Sequence, residues 1–220
     1  MGQRPTFAHM KIRWKLAQFF EIVWWQRYLK QKPVRDYLEW KTQYWNDFLK
    51  AVGVSVSPGE DLLDVGCGPA GIFLALKDHK MDALDPLLPE YERRLSHFSP
   101  SFYPNTRFVP EPFETFEPGR QYDRIFCLNV INHVADLGRS LQKLSDLLKP
   151  GGTLVLSVDA HNYWGFKHIF RLIPGDILHP HQYDLEEYKR MVGQTGLRIE
   201  KSILYKKEFF FNYHILTAVK

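Results

Sequence analysis

Residues 61–73 read Asp-Leu-Leu-Asp-Val-Gly-Cys-Gly-Pro-Ala-Gly-Ile-Phe, and this stretch predicts a strand that ends in a glycine turn. Residues 62–65 have the apolar pattern of a short buried strand. The three glycines predict a tight turn, and the apolar run over 72–76 predicts the start of a helix. A turn of this kind exposes unpaired backbone N–H groups to a ligand, which suits a nucleotide-like cofactor.

Two classes of cofactor are compatible with the glycine turn. The spacing of Gly66–Gly71 matches the dinucleotide fingerprint, and Asp85 follows 14 residues later. However, Pro69 lacks the backbone N–H that a pyrophosphate would use. Asp64 also places a carboxylate beside the turn, where it would attract an ammonium or sulfonium group. The residues therefore favour a positively charged nucleoside, with a nicotinamide dinucleotide as the alternative.

Five stretches of the chain resemble, in order, the motifs of the class I S-adenosylmethionine-dependent methyltransferases. They are Leu63–Gly71, Met81–Pro86, Phe108–Phe113, Tyr122–Val134 and Leu148–Leu156. Each motif is moderately specific by itself, but five of them in the family's order make chance a poor explanation. The resemblance implies that the cofactor is S-adenosyl-L-methionine.

The alternation of short apolar strands with helical stretches predicts an α/β fold with a parallel sheet and helices on both faces. This agrees with the fold that the resemblance implies, a Rossmann-like, doubly wound, seven-stranded and mostly parallel sheet with a C-terminal antiparallel hairpin. Strands are predicted at 61–65, 81–85, 106–110, 122–128, 152–158, 196–204 and 208–219. Residues 1–50 are predicted to form an N-terminal helical cap, and residues 51–220 the cofactor-binding domain.

The N-terminal cap is rich in aromatic residues. Residues 10–50 hold five of the six tryptophans and no glycine, and their apolar spacing predicts one helix before Pro33 and a second one to Leu49. The aromatic side chains could pack as core against the catalytic domain, or also roof the substrate pocket, as similar helices do in the family. In a third interpretation the first helix lies on a membrane surface with basic side chains toward the headgroups. These side chains are Lys11, Arg13, Lys15, Arg27 and Lys30.

The resemblance assigns cofactor contacts to the first two motifs. Asp64 would serve the amino-acid end of the cofactor through the glycine turn. Asp85 would accept hydrogen bonds from both ribose hydroxyls, with a turn or helix-capping role as the structural alternative. The predicted contacts of these motifs are Asp64, Gly66, Cys67 (through its backbone), Gly68, Asp85 and Pro86.

The third motif would contact the adenine ring. Glu111 falls where the family places an acid that binds the adenine amino group. The chain departs from the family pattern at Pro112, which has no N–H to offer the ring. The contact could therefore come from the backbone of Phe113 or shift to Glu114.

The end of the fourth strand is expected to bring three residues to the reaction site. Asn129 and Val130 would line the cofactor. His133 resembles the histidine that follows this strand in many small-molecule methyltransferases. Because histidine can take a hydroxyl proton at neutral pH, His133 is the predicted catalytic base. A histidine that caps the next helix is the alternative.

A long insertion, residues 159–183, follows the fifth strand. Open α/β sheets bind ligands at the carboxyl ends of their strands, so this insertion is predicted to form the substrate-facing wall. Its predicted substrate contacts are His161, Tyr163, His179, His181 and Tyr183. No metal is predicted, because His179 and His181 lack a firm third ligand.

Composition restricts the partners. With 220 residues and a net charge of +4, the chain fits one α/β domain with a helical addition. Lys and Arg are spread along the chain, so no nucleic-acid partner is predicted. Cys67 and Cys127 do not fall at positions typical of a disulfide, which favours the cytoplasm. No apolar run approaches the roughly 20 residues that span a bilayer, so stable insertion is not expected, whereas peripheral contact is compatible.

The sequence therefore predicts an enzyme that transfers a methyl group from S-adenosylmethionine to a small organic acceptor. The aromatic cap and insertion suggest an apolar or aromatic acceptor, and the histidines suggest a hydroxyl oxygen. A protein that binds S-adenosylmethionine without catalysis is the main alternative, followed by a nicotinamide-dependent oxidoreductase.

Overall fold

A computed structural model describes residues 7–161, 183–207 and 211–220, and a seven-stranded sheet lies at its centre. The strands are β1 (Leu62–Val65), β2 (Met81–Leu84), β3 (Thr106–Val109), β4 (Tyr122–Cys127), β5 (Leu148–His161), β6 (Arg198–Lys207) and β7 (Phe211–Val219). Their order across the sheet is β3-β2-β1-β4-β5-β7-β6. The first five strands pair in parallel, and β7 pairs antiparallel with both β5 and β6. The predicted sheet and its C-terminal hairpin are confirmed.

Five α-helices surround the sheet in the described residues. They are α1 (Phe7–Leu29), α2 (Val34–Val52), α3 (Leu88–Arg94), α4 (Leu137–Asp146) and α5 (Leu185–Gln194). The two predicted helices of the cap are present, separated by the turn before Pro33. Local signals set the ends of several helices: the Asp136 side chain caps α4, and Asp184 with Glu187 forms a capping box on α5.

The helix predicted directly after the glycine turn is absent. Two short 3₁₀ helices, Gly68–Ala70 and Ile72–Leu74, stand there instead. Ile72, Phe73 and Leu74 are all buried, although an amphipathic helix buries only one side of each turn. Because three consecutive side chains are buried, this segment lies within the core and does not form a surface helix. The prediction failed because an apolar run fits a buried turn as well as a helix.

Hydrophobic clusters cover both faces of the sheet. On one face, α1, α2, α3 and the second 3₁₀ helix pack around Phe48, Phe73 and Tyr91. On the other face, α4 and α5 pack around Leu144, Leu156 and Tyr188. The sheet is thus enclosed by helices as in a doubly wound fold. Among the helices that the structure describes, none has the length and apolar character to span a bilayer.

Candidate cofactor and acceptor site

The glycine turn leaves the carboxyl end of β1 and creates a surface of bare backbone. Gly66 and Gly68 adopt φ angles of 64° and 57°, in the left-handed region that favours glycine. A Cβ on Gly66 would overlap the Val130 side chain, whereas a Cβ on Gly68 would meet no atom within 4 Å. The turn is therefore closed on its Val130 side and open above Gly68, where a ligand can approach the backbone.

Asp85 connects the end of β2 to the glycine turn. Its Oδ2 accepts a hydrogen bond from the Gly68 N–H at 3.0 Å, and its Oδ1 accepts one from the Leu87 N–H at 2.8 Å. Only 7% of the Asp85 surface is exposed. Burial and, to a smaller extent, the charge of Glu21 raise the pKa of Asp85 to about 7, although its two hydrogen bonds lower it. This carboxylate lies at the edge of the open space above Gly68. Pro86, which follows it, is half-buried.

Asp64 lies beneath the turn. Only 2% of the residue is exposed, and its Oδ2 accepts a hydrogen bond from the Ile72 N–H at 3.1 Å. Burial raises the pKa of Asp64 to about 8, and the nearby charge of Asp85 acts in the same direction. Asp64 therefore positions the 3₁₀ segment from below, and a cation bound above the turn would favour its ionised form. Its contact with the amino-acid end of the cofactor stays a prediction.

Cys67 contributes mainly backbone to the turn. Its N–H donates to the Leu84 carbonyl at 3.0 Å, so it ties the turn to the end of β2. The thiol is buried, and burial raises its pKa well above the usual range. The thiol is therefore protonated at neutral pH and is unsuited to act as a nucleophile.

Sequence reasoning missed a third acid at this site, Glu21 of α1. Its Oε1 accepts a hydrogen bond from the Tyr91 hydroxyl at 2.6 Å, and its charge raises the pKa of both Tyr91 and Asp85. No motif surrounds Glu21. The one available signal was that it is the only acidic residue in the first 35 positions of a basic segment.

The electrostatics of the turn argue against a dinucleotide. A pyrophosphate is stabilised at the N-terminus of the helix that follows the glycine turn in dinucleotide-binding folds. Here a 3₁₀ segment replaces that helix, so the macrodipole is missing. Three acids, Asp64, Asp85 and Glu21, lie here instead, and burial together with the charges of neighbouring acids raises the pKa of Asp64 and of Asp85, so a bound anion would be disfavoured. The site therefore suits a cationic nucleoside.

The segment after β4 lies against the turn. Asn129 has a φ of 60°, which is uncommon for a residue other than glycine, and its backbone N–H donates to the Ser157 Oγ at 2.7 Å. Val130 covers Gly66. His133 is exposed at the end of a 3₁₀ helix, and its N–H donates to the Val130 carbonyl at 2.8 Å. The predicted residue Val130 is thus next to the glycine turn, and Asn129 directly precedes it in the segment after β4.

A buried polar network supports this segment from the sheet side. The Asn132 Nδ2 donates to the Asp159 Oδ2 at 2.9 Å, and the Tyr188 hydroxyl donates to the Asn132 Oδ1 at 2.8 Å. It joins the turn after β4 to the end of β5 and to α5. Because Asn132 precedes His133, the network fixes the backbone from which His133 projects.

The residues expected at the adenine end have different surroundings. Glu111 is half-buried, and its N–H donates to the Val109 carbonyl at 3.0 Å. The Phe113 ring is buried in the core, so a ligand could meet this residue only through its backbone. The Glu114 carboxylate accepts a hydrogen bond from the Ala135 N–H at 3.2 Å, and this contact holds it toward the segment after β4.

Most of the predicted substrate wall lies outside the described residues. This applies to Tyr163, His179 and His181, and to the side chain of His161, whose backbone ends β5. Tyr183 is half-buried, with its ring 5.7 Å from that of Tyr188. Within the part of the chain that the structure describes, no three His, Cys, Asp or Glu side chains form a group that could hold a metal.

A cluster of tyrosines and a lysine, which sequence reasoning did not predict, lies between α2 and the C-terminal hairpin. The Tyr213 hydroxyl interacts with Ser157, the residue that also holds the Asn129 N–H. Tyr44 and Tyr205 interact through their hydroxyl groups. Lys41 Nζ lies 4.2 Å from the centre of the Tyr44 ring, and burial lowers the pKa of Lys41 to about 8. We call Lys41, Tyr44, Tyr205 and Tyr213 the tyrosine–lysine cluster.

The fold and the glycine turn are those of a known class. The sequence profile of the family described as "Methyltransferase domain" matches residues 37–202, which is most of the chain. The chain therefore belongs to the class I S-adenosylmethionine-dependent methyltransferase family, whose cofactor is S-adenosyl-L-methionine.

Individual relatives differ in substrate. The chain is 26% identical over 197 residues to the mitochondrial ubiquinone biosynthesis O-methyltransferase of Dictyostelium discoideum, covering 75% of this chain and 61% of the relative. It is 29% identical over 126 residues to the tRNA U34 carboxymethyltransferase of Alteromonas mediterranea, covering 54% of this chain and 38% of the relative. The chain thus spans less than two thirds of either relative.

A solved structure shows the same fold over the whole chain. It is the 1,6-didemethyltoxoflavin-N1-methyltransferase of Burkholderia thailandensis, with bound 1,6-didemethyltoxoflavin and S-adenosylhomocysteine. Its TM-score is 0.64 at 14% identity, and the match covers 100% of this chain and 92% of the other. At this identity the similarity establishes the architecture alone.

Proposed function

We propose that the protein transfers the methyl group of S-adenosylmethionine to a hydroxyl oxygen of a small, largely apolar or aromatic acceptor. The observation that carries the proposal is the group of three acids, Asp64, Asp85 and Glu21, around a glycine turn that is open above Gly68. This arrangement favours a sulfonium-bearing nucleoside over an anionic cofactor. Membership of the methyltransferase family and the O-methyltransferase relative support the reaction type.

The residues present fit S-adenosylmethionine. Asp85 offers a carboxylate at the rim of the open space, which can accept two hydrogen bonds from ribose hydroxyls. Gly68 allows close approach to the backbone, and Gly66 allows the tight turn that Val130 covers. Glu111 and the backbone of Phe113 are the groups proposed for the adenine ring, because Glu114 is held by Ala135.

The cofactor supplies, when bound, a methyl group that is already activated by a sulfonium charge. The main task of the chain is therefore alignment, which can contribute about 7–11 kcal/mol to lowering the barrier. Asn129 and Val130 shape the floor on which the two reactants would meet. The polar network of Asn132, Asp159 and Tyr188 keeps that floor rigid.

We propose the tyrosine–lysine cluster as part of the acceptor wall. Its connection to the floor runs from Tyr213 through Ser157 to the Asn129 backbone. The three rings suit an aromatic acceptor. Lys41 would favour the ionised form of an acceptor hydroxyl, because it brings a positive charge into a half-buried site. Tyr183 and the histidines and tyrosine at 161, 163, 179 and 181 remain the proposed contacts from the insertion.

His133 is the proposed catalytic base. It is exposed on the segment beside Val130, so it can reach a proton that leaves the acceptor. His133→Ala should reduce kcat about 100-fold or more and leave the affinity for S-adenosylhomocysteine unchanged. His79→Ala, on a half-exposed histidine before β2, is the matched control. Full activity of His133→Ala would remove this residue from the mechanism.

The location and acceptor class belong to the same proposal. We place the reaction in the cytoplasm, because both cysteines among the described residues are free. A small molecule is favoured over a nucleic acid as acceptor, since aromatic groups line the proposed wall. The tRNA-modifying relative makes RNA the competing acceptor to test.

Two measurements test the proposed function. Calorimetry should show binding of S-adenosylhomocysteine and none of NAD, and tight NAD binding alone would favour the oxidoreductase. Transfer of radiolabelled methyl from S-adenosylmethionine should then be measured to catechols, phenols and bulk tRNA. Methylated phenols support the proposal. Labelled tRNA would identify RNA as the acceptor. Cofactor binding without methyl transfer to any of these acceptors or to cell-extract metabolites would favour a non-catalytic cofactor-binding protein.

A further inference from the structure

Three aromatic side chains are exposed in the part of α1 whose side chains the structure describes, residues 18–29. Ile22 and Leu29 face the core, as expected for a helix packed on a domain. On the other side, however, Phe19, Phe20 and Trp24 are 55%, 63% and 55% exposed. Phe20 and Trp24 are four residues apart and therefore lie on one face. Neighbouring exposed rings on a helix whose opposite side packs on the core are typical of a surface that binds a second apolar partner.

Aromatic contacts continue this surface onto α2. The rings of Trp24 and Tyr28 stack at 4.9 Å with an interplanar angle of 6°. Tyr28 contacts Tyr37 at 6.1 Å, and Tyr37 contacts Trp40 at 5.8 Å. Trp40 is 53% exposed. We call the exposed residues Phe19, Phe20, Trp24 and Trp40 the aromatic ridge.

The positive charge of the chain is concentrated in the stretch of sequence that contains Phe19, Phe20 and Trp24. Lys and Arg occur along the whole sequence, but acidic residues do not. Residues 1–32 contain seven basic residues and one acidic residue, a net charge of +6, and the other 188 residues have a net charge of −2. Arg27, Lys30 and Lys32 are exposed at the end of α1, and Lys32 Nζ lies 4.7 Å from the centre of the Tyr28 ring.

We propose that the aromatic ridge docks on the surface of an anionic lipid bilayer. Exposed tryptophans and phenylalanines bury their rings at the boundary between headgroups and acyl chains. Basic residues beside them are attracted to anionic headgroups. The ridge combines both features on one helix pair, and the sequence alone left this interpretation of the cap open.

Charge disfavours another copy of the chain as the occupant. A second copy would bring its own +6 segment against the first, and like charges oppose this contact. The insertion is also a poor match by composition, since residues 162–182 contain Lys167, Arg171 and one acid, Asp176. RNA would match the charge. However, Phe19 and Phe20 carry no hydrogen-bonding group and Trp24 offers only its indole N–H, so these rings suit acyl chains better than base edges.

Docking would place the cofactor site near the lipid. Glu21 lies in the same helix as the ridge and accepts a hydrogen bond from Tyr91, close to Asp85. An apolar acceptor dissolved in the bilayer would then lie near the cofactor. This last step depends on the proposed function, whereas lipid binding itself does not.

Flotation of the full chain with vesicles tests the docking. The wild type should bind phosphatidylcholine vesicles that contain phosphatidylglycerol, bind pure phosphatidylcholine weakly, and lose binding at high salt. Phe20→Ser/Trp24→Ser should reduce the partition coefficient about tenfold or more. Arg27→Gln/Lys30→Gln should reduce it about tenfold on anionic vesicles. Leu204→Ser, on a residue 48% exposed on β6, and Lys77→Gln/Lys80→Gln are the matched controls and should bind like the wild type.

Four outcomes of these experiments would contradict the docking proposal. Binding of S-adenosylhomocysteine to each variant verifies that the variant is folded. This control does not require methyl transfer. Absent binding of the wild type to anionic vesicles, or equal binding of Phe20→Ser/Trp24→Ser, would overturn the proposal. So would a lipid-free dimer that Phe20→Ser/Trp24→Ser dissociates, because the ridge would then bind a second copy. Displacement of the vesicles by polyuridylate at matched charge would indicate RNA as the occupant.

Discussion

Asp85 accepts two backbone N–H groups in the structure, and in the proposed complex it also accepts two ribose hydroxyls. Asp85→Asn should weaken binding of S-adenosylhomocysteine by about 1.5–3 kcal/mol, because hydrogen bonds to a charged group are lost. Calorimetry measures this loss. Asp78→Asn, on an exposed residue before β2, should leave the affinity unchanged. An unaltered affinity in Asp85→Asn would mean that other residues hold the ribose.

The raised pKa of Asp85 predicts that cofactor binding depends on pH. The pKa of about 7 lies above the ordinary value of 3.8, so the folded protein binds this proton more tightly than the unfolded chain. The stability it contributes is thus lost as the pH rises from about 4 to about 7. Ribose hydroxyls donate to the ionised carboxylate. The affinity for S-adenosylhomocysteine should therefore fall up to about tenfold per pH unit below 7.

Calorimetry at several pH values measures this slope. Asp64 has a pKa of about 8 and therefore titrates in an overlapping range. Substituting each acid in turn separates their contributions to the pH dependence of binding. Asp85→Asn should flatten the slope below pH 7, whereas Asp64→Asn should retain it. An equally steep slope in Asp85→Asn would assign the proton to a different group.

Motif spacing found the residues that adjoin the glycine turn in sequence, and it could not find those that arrive from elsewhere. Asp64, Gly66 and Asp85 follow directly from the strand–turn pattern. Glu21 reaches the glycine turn, and Lys41 the proposed acceptor wall, because two long helices pack on the sheet, and no local pattern encodes that packing. The Asn129 φ angle was also beyond prediction, since it depends on the Ser157 side chain of another strand.

The element scale shows how α2 supports the cofactor turn. The Trp45 Nε1 donates to the Ala70 carbonyl at 2.9 Å, and α2 packs on the 3₁₀ helix Ile72–Leu74. The predicted strands matched the structure because short apolar runs between turn residues mark them, and the cap helices matched because their apolar spacing extends over many residues. The helix predicted after the turn did not, because its apolar residues are consecutive and are buried by α2.

Trp45→Phe should test this support. The substitution keeps an aromatic ring but leaves the Ala70 carbonyl without its partner, so the free energy of unfolding should fall by about 1–2 kcal/mol. Affinity for S-adenosylhomocysteine should fall as well, because the turn is less firmly held. Denaturant unfolding and calorimetry measure both effects. Trp40→Phe, on the exposed side of the same helix, is the control and should change neither.

At the scale of the whole molecule, a charged cluster ties three strands together. Asp82 of β2 is buried and accepts hydrogen bonds from Arg107 of β3 at 2.7 Å and from the Tyr122 hydroxyl of β4 at 2.6 Å. Arg120 adds an ion pair at 2.8 Å. Burial alone would raise the pKa of Asp82, but these three partners hold it below the ordinary 3.8.

Asp82→Asn should lower the free energy of unfolding by about 1–3 kcal/mol at neutral pH, because charged hydrogen bonds are weakened. Since the pKa is depressed in the folded state, the advantage of the wild type is present above about pH 4. It should disappear as the pH falls through the folded-state value. Denaturant unfolding across this range measures it. A constant difference at all pH values would show that packing, and not charge, is responsible.

The contact between α2 and the glycine turn also limits how this fold can be recombined. A predicted boundary after residue 50 falls inside α2, which ends at Val52, and the family match begins within the same helix, at residue 37. A chimaera that exchanged the cap of this protein for another would have to carry Trp45 together with the loop beneath it. The helix α2 and the glycine turn therefore have to be exchanged together as one module.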